Sequence, residues 1–165
     1  MASGKSTIGK LLAKKLDFYF LDLDTYIQLK ENMDIPTIFS KKGEIYFRKK
    51  ETESLKEIIH DLDFTVVSLG GGTPCYGNNM ELLKSSSNSK SIYLKVSIAE
   101  LSKRLLSEKE MRPLVSHLES EEEIVEFIGK HLFERNFFYN QSDIVIDTNG
   151  KSTEEIVDKI VLTLF

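Results

Sequence analysis

Apolar residues follow two alternating spacings along the chain, and these spacings predict helices and buried strands in turn. Ile8, Leu11, Leu12 and Leu16 recur at helical spacing, which predicts an amphipathic helix over residues 5–16. Short apolar runs predict strands buried on both faces, as in parallel sheets, over residues 18–21, 65–69, 91–96 and 144–146.

Helical patterns occupy the segments between these strands. Residues 25–62 are helical with breaks at 32–36 and at Gly43, which predicts an all-helical insert before the second strand. Residues 107–119 contain a proline, many charges and no regular period, so we expect a mobile loop there. Capping boxes, in which a serine precedes a glutamate by three positions, predict helix starts after Ser97, Ser120 and Ser152.

The alternation of strands and helices predicts an α/β fold, a three-layer sandwich around a central parallel sheet, in one domain over residues 1–165. Ligands bind such sheets beyond the carboxyl ends of the strands. The first predicted strand ends in Asp22-Leu23-Asp24, and the second runs into Gly70-Gly71-Gly72. We expect both strand ends beside Gly4-Lys5-Ser6, so three segments indicate one crevice.

Composition limits the class of protein and of partner. With 165 residues, of which 41% are hydrophobic and 29% are charged, the chain fits one globular domain. A net charge of −4 argues against the basic surface of a nucleic-acid-binding protein. Cys75 is the only cysteine, which favours a reducing compartment, and no apolar run reaches the roughly 20 residues of a membrane span. We therefore expect a cytoplasmic protein with no nucleic-acid or membrane partner.

The string MASGKST contains part of a phosphate-binding loop. In the pattern GxxxxGK[ST], backbone N–H groups cradle phosphates, the lysine reaches the β- and γ-phosphates, and the hydroxyl binds Mg²⁺. Gly4, Lys5 and Ser6 match the end of this pattern, but its first glycine would fall before Met1. A helix that begins here would add its partial positive charge to the site. By itself, so short a string also occurs by chance.

Two carboxylates follow the first predicted strand. Asp22 and Asp24 flank Leu23, and in an extended chain both would project to one face. One could hold Mg²⁺ through water while the other accepts or orients the proton of an attacking hydroxyl. The ordinary alternative is a solvated strand-to-helix turn in which Asp24 caps the helix.

Charged residues and glycines supply further candidates. Arg48 and Glu51 stand three positions apart on a helix, where a surface ion pair is the ordinary explanation. Alternatively, Glu51 fixes the Arg48 guanidinium so that it binds an anion through two hydrogen bonds. Three consecutive glycines at 70–72 indicate backbone that approaches something closely, with a flexible loop as the alternative.

Two arginines remain ambiguous from the residues alone. Arg112 could act in phosphate transfer from a lid or be a solvated charge. Arg135 could bind an anion or complement the carboxyl end of a helix. We expect the aromatic run at 137–139 in the core.

Taken in order, these motifs form a series that resembles the shikimate kinase family over nearly the whole chain, from residue 1 to about 158. The series is MASGKSTIGKLLAKKL, FLDLDTYI, IFSKKGEIYFRKKE, VVSLGGGTP, MRPLV and ERNFFY. Gluconate and adenylate kinases share the phosphate turn but do not share this combination. The resemblance implies a P-loop kinase with a five-stranded parallel sheet of order 2-3-1-4-5, whose first strand is absent from this chain.

The resemblance also implies a shikimate-binding insert over residues 25–62 and a lid over residues 107–119. The implied reaction transfers the γ-phosphoryl of ATP to the 3-hydroxyl of shikimate, a step toward chorismate and the aromatic amino acids. Mg²⁺ is the implied cofactor, and a monomer is the default state of the family.

On the nucleotide side, the resemblance assigns Lys5 to the β- and γ-phosphates and Ser6 to Mg²⁺. Asp22 would support this ion through water, and Ser68 would lie near its outer shell. Arg104 is expected near the adenine, although lid length varies in the family. The residues expected to contact ATP are Ser3, Gly4, Lys5, Ser6, Thr7 and Arg112, of which Lys5 and Arg112 would also be catalytic.

On the acceptor side, the resemblance assigns Asp24 to the shikimate hydroxyls as a catalytic base or positioning group. Arg48 and Arg135 would bind the shikimate carboxylate from two sides. Gly70, Gly71 and Gly72 would contribute backbone contacts to the substrate.

One departure from the family pattern concerns the missing strand and first glycine, because that strand lies in the middle of the family's sheet. We expect a version extended about ten residues upstream to carry a short apolar strand, with a glycine two places before Met1. The first alternative is a weakened or inactive kinase relative that serves as a binding module. The second is a P-loop kinase for another small polyol acid, such as gluconate.

Overall fold

Helices and strands alternate along the chain. The computed structural model describes residues 2–107, 118 and 120–165. The helices in these ranges are α1 (Lys5–Leu16), α2 (Leu23–Glu31), α3 (Ile35–Asp61), α4 (Asn79–Ser85), α5 (Ile98–Ser107), α6 (Glu121–Tyr139) and α7 (Thr153–Leu164), with a short 3₁₀ helix at Thr73–Cys75. The strands are β1 (Tyr19–Asp22), β2 (Thr65–Ser68), β3 (Ile92–Lys95) and β4 (Ile144–Asp147). Each predicted strand is confirmed to within one residue at either end.

Local signals set the helix boundaries. Both Ser120 and Ser152 form complete capping boxes, in which each serine hydroxyl accepts from the backbone N–H of the glutamate three positions later. Asp34 caps α3 in the same manner by accepting from Thr37 N–H. Gly43 has a φ of 82° and divides α3 into two helical parts, which confirms the predicted break.

The strands form two parallel pairs. β1 pairs with β2 from Tyr19 opposite Thr65 to Asp22 opposite Ser68. β3 pairs with β4 from Ile92 opposite Ile144 onward. The α/β fold with parallel strands is therefore as expected, but the described strands do not form one continuous sheet. The position implied for the absent first strand is the space between β2 and β3.

Helices pack on both faces of these strands. Val66 of β2 packs against the cluster that contains Ile8 and Leu12 of α1 and Ile156 of α7. Its neighbour Val67 packs on the other side, against the core of α2 and α3. These contacts give the three layers of the predicted sandwich.

Helix α1 lies very close to β1. A Cβ atom at Gly9 would lie 2.8 Å from the ring of Phe20, so only glycine allows this approach. The packing of Gly9 thus fixes the height of α1, and with it the phosphate turn, over the strands. No helix in the described ranges is long and apolar enough to cross a membrane.

Candidate active site

The phosphate turn opens directly into α1. Gly4 is the N-cap residue with a φ of 81°, a left-handed conformation that glycine adopts readily. Ile8 N–H donates to the Gly4 carbonyl at 2.9 Å, so the helix begins at this glycine. The first N–H groups of a helix lack intrahelical acceptors, and those of Lys5, Ser6 and Thr7 can therefore bind phosphate oxygens. The Lys5 ammonium lies 3.4 Å from Ser3 Oγ at the same turn.

Three oxygen-bearing side chains meet beside this turn. The Ser6 hydroxyl donates to Asp22 Oδ2 at 3.1 Å and lies 3.4 Å from the Ser68 hydroxyl. Asp22 and Ser68 are neighbours because β1 and β2 pair them in register. Carboxylate and hydroxyl oxygens are hard ligands that suit Mg²⁺. The cluster of Ser6, Asp22 and Ser68 therefore fits the expected ion.

Asp22, rather than Asp24, caps helix α2. Its Oδ1 atom accepts from Asp24 N–H at 3.1 Å and from Thr25 N–H at 3.3 Å. The chain is extended at Asp22 but helical from Leu23 onward. The expectation that two carboxylates project to one face of an extended chain is therefore wrong, as is the alternative that Asp24 is the cap. The cap bonds hold Asp22 so that its other oxygen meets Ser6.

The Asp24 carboxyl lies in the first turn of α2, between the nucleotide and acceptor sides. Burial raises its pKa, and the negative charges of Asp22 and Glu51 raise it further. Lys5 and Arg48 act in the opposite direction without cancelling the rise. A carboxylate with a raised pKa is a stronger base than an ordinary aspartate.

Arg48 pairs with a buried Glu51 and is itself only 18% exposed, so the surface explanation is wrong. Glu51 is only 1% exposed, and Arg48 Nη1 donates to its Oε2 at 2.9 Å. The Thr73 hydroxyl donates to the other carboxylate oxygen of Glu51. Burial alone would lower the pKa of Arg48, but the bond to Glu51 and the charges of Glu51 and Glu44 raise it. The guanidinium is thus held in place and stays charged.

Gly70 and Gly72 of the triple glycine are tightly packed, which argues against a flexible loop. A Cβ at Gly72 would lie 2.7 Å from Arg48 Nη1. A Cβ at Gly70 would lie 3.0 Å from Glu51 Oε1 and 3.3 Å from Asp24 Oδ1. Larger residues at these two positions would displace Asp24, Glu51 or Arg48, so close approach explains Gly70 and Gly72.

Helix α6 brings a second arginine to the same turn. The charges of Arg135 and Arg48 both act on the Cys75 thiol, where they oppose the rise in pKa that burial causes. Arg135 also interacts with Tyr139, whose hydroxyl donates to the Gly71 carbonyl at 2.7 Å. Both arginines predicted to bind a carboxylate therefore lie around the glycine turn.

Of the two other arginines predicted to act on the nucleotide side, only Arg104 lies in the part of the chain that the structure describes. Arg104 Nη1 donates to the Ala2 carbonyl at 3.2 Å, and its Nε atom donates to Glu100 at 3.0 Å. This side chain thus ties α5 to the residue before the phosphate turn. Arg112 and most of the expected lid, at 108–117 and 119, lie outside the described residues.

Three residues of the site were not predicted from sequence. Thr73 and Asn79 are fully buried, and Asn79 Nδ2 donates to the Thr73 carbonyl at 2.9 Å, which holds the turn against α4. Tyr139 was expected only as a core residue, and its neighbour Phe137 is 73% exposed, so the core assignment of this run is wrong for Phe137. The position of Tyr139 four residues after Arg135, on the same helix face, was the available signal.

Comparisons with known proteins agree with this geometry. A family model of shikimate kinases matches residues 1–165. A shikimate kinase of Flavobacterium psychrophilum is 46% identical over 165 residues, which cover 100% of this chain and 95% of the relative. The shikimate kinase of Flavobacterium johnsoniae is 44% identical over 161 residues, which cover 98% of this chain and 92% of that protein.

Solved structures give the same result for the fold. The crystal structure of a shikimate kinase from Bacteroides thetaiotaomicron superposes with a TM-score of 0.89 at 32% identity, covering 99% of this chain and 93% of that one. A shikimate kinase from Acinetobacter baumannii in complex with shikimate gives a TM-score of 0.82 at 32% identity, covering 99% and 88%. From its motifs, its fold and these relatives, the chain belongs to the shikimate kinase family.

Proposed function

We propose that this chain transfers the γ-phosphoryl group of ATP to the 3-hydroxyl of shikimate, giving shikimate 3-phosphate and ADP. The observation that carries this proposal is the position of Asp24. Its carboxyl lies between the Ser6–Asp22–Ser68 cluster and the buried Arg48–Glu51 pair, where the charges of Lys5 and Arg48 both act on it. A phosphate donor on one side and a carboxylate acceptor on the other would meet there.

The nucleotide side supplies positive charge for the phosphates. The N–H groups at the start of α1 and the Lys5 ammonium bind the β- and γ-phosphates, helped by the helix dipole. Ser6 and Asp22 would hold Mg²⁺, Asp22 through water, and Ser68 would lie near its outer shell. When bound, Mg²⁺ neutralises charge on the transferring phosphoryl group.

The acceptor side orients shikimate. Arg48 and Arg135 bind its carboxylate from two sides, and the backbone of Gly71 and Gly72 contacts it. Because Glu51 already holds one edge of the Arg48 guanidinium, little side-chain freedom is lost on binding. Such positioning is the larger part of catalysis in phosphoryl transfer.

Asp24 takes the proton of the attacking hydroxyl. As the new O–P bond forms at the γ-phosphorus, the bond to the β-phosphate oxygen breaks and ADP leaves with that electron pair. The proton released by the 3-hydroxyl moves to the Asp24 carboxylate. Its raised pKa makes this carboxylate a better acceptor than a solvated aspartate.

Several finer assignments belong to the same proposal. Residues 25–62, which contain most of α2 and all of α3, act as the shikimate-binding insert of a single domain. Residues 107–119 act as the lid, from which Arg112 stabilises charge on the phosphoryl group. We also propose a cytoplasmic monomer without nucleic-acid or membrane partners, in keeping with the net charge of −4.

A coupled assay of ADP release tests the proposal. With Mg²⁺ and ATP present, we expect saturable ADP release with shikimate and none above background with gluconate. Equal rates with both acceptors would instead indicate a kinase for polyol acids in general. Saturable shikimate binding without ADP release from either acceptor would indicate a binding module.

A further inference from the structure

The guanidinium of Arg48 has two carboxylate partners, which differ in burial and in bond length. Glu51 accepts from Nη1 at 2.9 Å, and its side chain is 1% exposed. Glu44 accepts from Nη2 at 3.3 Å and from Nε at 3.4 Å, both through its Oε1 atom, and its side chain is 65% exposed. Arg48 is therefore fixed by one buried carboxylate and contacted by a second that lies largely in solvent.

The contact between Glu44 and Arg48 is long for its spacing. Side chains four positions apart on a helix commonly pair, and at this spacing Arg104 Nε lies 3.0 Å from Glu100. Hydrogen bonds between charged groups usually measure about 2.7 to 2.9 Å. Glu44 also directly follows Gly43, whose φ of 82° interrupts α3. Of the two partners of Arg48, Glu44 is thus the one that can leave at little cost.

The N–H groups that Glu44 contacts are suited to a carboxylate. A guanidinium presents its donors as a fork, and two N–H groups along one edge match the two oxygens of a carboxylate. Nε and Nη2 of Arg48 form such an edge, and Glu44 contacts it through a single oxygen. At the other edge, Nη1 is bonded to Glu51, and a Cβ at Gly72 would lie 2.7 Å from Nη1 and 3.0 Å from Nη2. An incoming carboxylate therefore binds through two hydrogen bonds at the edge that Glu44 occupies.

Charge around Arg48 also favours exchange of one carboxylate for another. Glu44 and Glu51 both pair with Arg48, whose charge acts on Asp24 as well. An acceptor carboxylate would add a further negative charge, and like charges at short distance repel. Glu51 is held in place because it is buried and also accepts from Thr73. Glu44 is exposed, so its carboxylate can turn into solvent when another arrives.

We propose that Glu44 is an internal competitor of the substrate, whose carboxylate occupies the edge of Arg48 in the substrate-free protein and is displaced by the carboxylate of shikimate. The proposal rests on the proposed function, in which Arg48 binds that carboxylate. Glu44 is then a specificity-determining residue, because an acceptor without a carboxylate cannot replace the bonds that Glu44 makes. It lowers the affinity for shikimate, which is the opposite of the effect of Arg48 and Glu51.

Steady-state kinetics of Glu44→Gln and Glu44→Ala, with saturating Mg²⁺ and ATP, test the displacement. Glutamine keeps the size of the side chain and an acceptor oxygen but removes the charge, and alanine removes the competitor altogether. We expect the KM for shikimate to fall about two- to fivefold, with the larger fall in Glu44→Ala and kcat nearly unchanged, as suits an exposed ion pair. Glu53→Gln is the matched control, because it removes the same charge from an exposed pair with Lys50 on the same helix. It should leave this KM unchanged.

A double-mutant cycle separates displacement from general repulsion of an anionic substrate. In the Arg48→Ala background Glu44 has no guanidinium to occupy, so Glu44→Gln should lower the KM for shikimate much less than it does with Arg48 present. An equal or larger fall in the Arg48→Ala background would mean that Glu44 repels the substrate without competing for Arg48, and it would overturn the proposal.

Two further results with an active parent protein would overturn the proposal. An unchanged KM in both Glu44 variants would mean that the contact with Arg48 is an ordinary surface pair that shikimate leaves in place. A raised KM, in the direction of Arg48→Ala, would make Glu44 a positioning residue that orients the guanidinium, as Glu51 does. Absence of ADP release from the parent protein with shikimate would overturn the proposed function itself, so the two failures are distinguishable.

Discussion

The acceptor and nucleotide sides of the candidate site are built in different ways. On the acceptor side, Glu51, Thr73 and Asn79 form a continuous buried network to which Arg48 is bonded, and Tyr139 adds a bond from a distant helix. On the nucleotide side, Ser6 and Thr7 are exposed in the first turn of α1. The fold thus holds the residues of the acceptor side through tertiary contacts, and the residues of the phosphate turn mainly through the first turn of α1.

This difference implies two classes of mutational effect. Substitutions in the buried network should lower both stability and shikimate affinity, because the same bonds serve packing and positioning. Substitutions of side chains that contact only the reacting atoms should change kcat and leave the fold intact.

Asp24→Asn should give the largest loss of activity. Asparagine keeps the size of the side chain but cannot accept the hydroxyl proton, so we expect kcat to fall by about a hundredfold or more. The KM for shikimate should change much less. Steady-state kinetics measure both constants, with Asp158→Asn on the exposed face of α7 as the control. A kcat within a few fold of the parent protein would contradict the assignment of Asp24 as the base.

The same substitution should stabilise the fold at neutral pH. Burial, followed by the charges of Asp22 and Glu51, raises the pKa of Asp24 in the folded state, so ionisation of this group opposes folding. The cost is fully present above the folded-state pKa and disappears below the unfolded value near 3.8. Urea unfolding should therefore show Asp24→Asn more stable than the parent at pH 7, with the gain lost as the pH falls toward that value. A gain independent of pH would contradict this account.

Of the substitutions considered, Glu51→Ala should lower the free energy of unfolding most. The change leaves Arg48 charged without its buried partner and Thr73 without its acceptor, and removal of one partner of a buried pair costs about 3 kcal/mol. Glu53→Ala is the matched control, because Glu53 pairs with Lys50 at the same spacing on the same helix but is exposed. It should cost no more than about 0.5 kcal/mol. Similar unfolding free energies for the two variants would contradict the contrast between buried and exposed networks.

Arg48→Ala should raise the KM for shikimate while leaving kcat and the KM for ATP nearly unchanged. Hydrogen bonds to a charged group contribute about 1.5 to 3 kcal/mol, which corresponds to a KM increase of roughly ten- to a hundredfold. Lys49→Ala, at the adjacent exposed position, is the control. If the KM for ATP rose as much as the KM for shikimate, Arg48 would act on both sides of the site and not on the acceptor side alone.

Sequence patterns predicted the elements well because local signals set them. The serine caps of α6 and α7, the break at Gly43 and all four strands lie where spacing and capping residues indicated. The site geometry was harder to predict, because it depends on residues far apart in the chain. Glu51 accepts a hydrogen bond from Thr73, which lies 22 positions later, and spacing along one helix cannot distinguish the Arg48–Glu51 pair from Lys50 and Glu53.

The two aspartates show the same limit at a smaller scale. The pattern placed Asp22 and Asp24 correctly at the strand end, but their roles depend on the residue at which α2 begins. Because helical geometry starts at Leu23, Asp22 becomes the cap and Asp24 turns toward Gly70 and Glu51. The residue at which α2 begins thus decides which carboxylate contacts Ser6 and which lies beside Gly70 and Glu51. Helix propensity cannot resolve a boundary to one residue.

Tyr139→Phe should produce the smallest effect that remains specific to the acceptor side. The change removes the hydroxyl that donates to the Gly71 carbonyl at 2.7 Å but keeps the ring against Tyr93. Loss of one such bond costs about 1 kcal/mol, so we expect the KM for shikimate to rise several fold. Tyr93→Phe is the matched control, because its hydroxyl contacts Asn136 at 3.2 Å instead of the glycine turn. Equal changes in both variants would mean that the bond to Gly71 has no specific effect on shikimate binding, whereas a change confined to Tyr139→Phe would identify Tyr139 as the residue that positions Gly71 against the substrate.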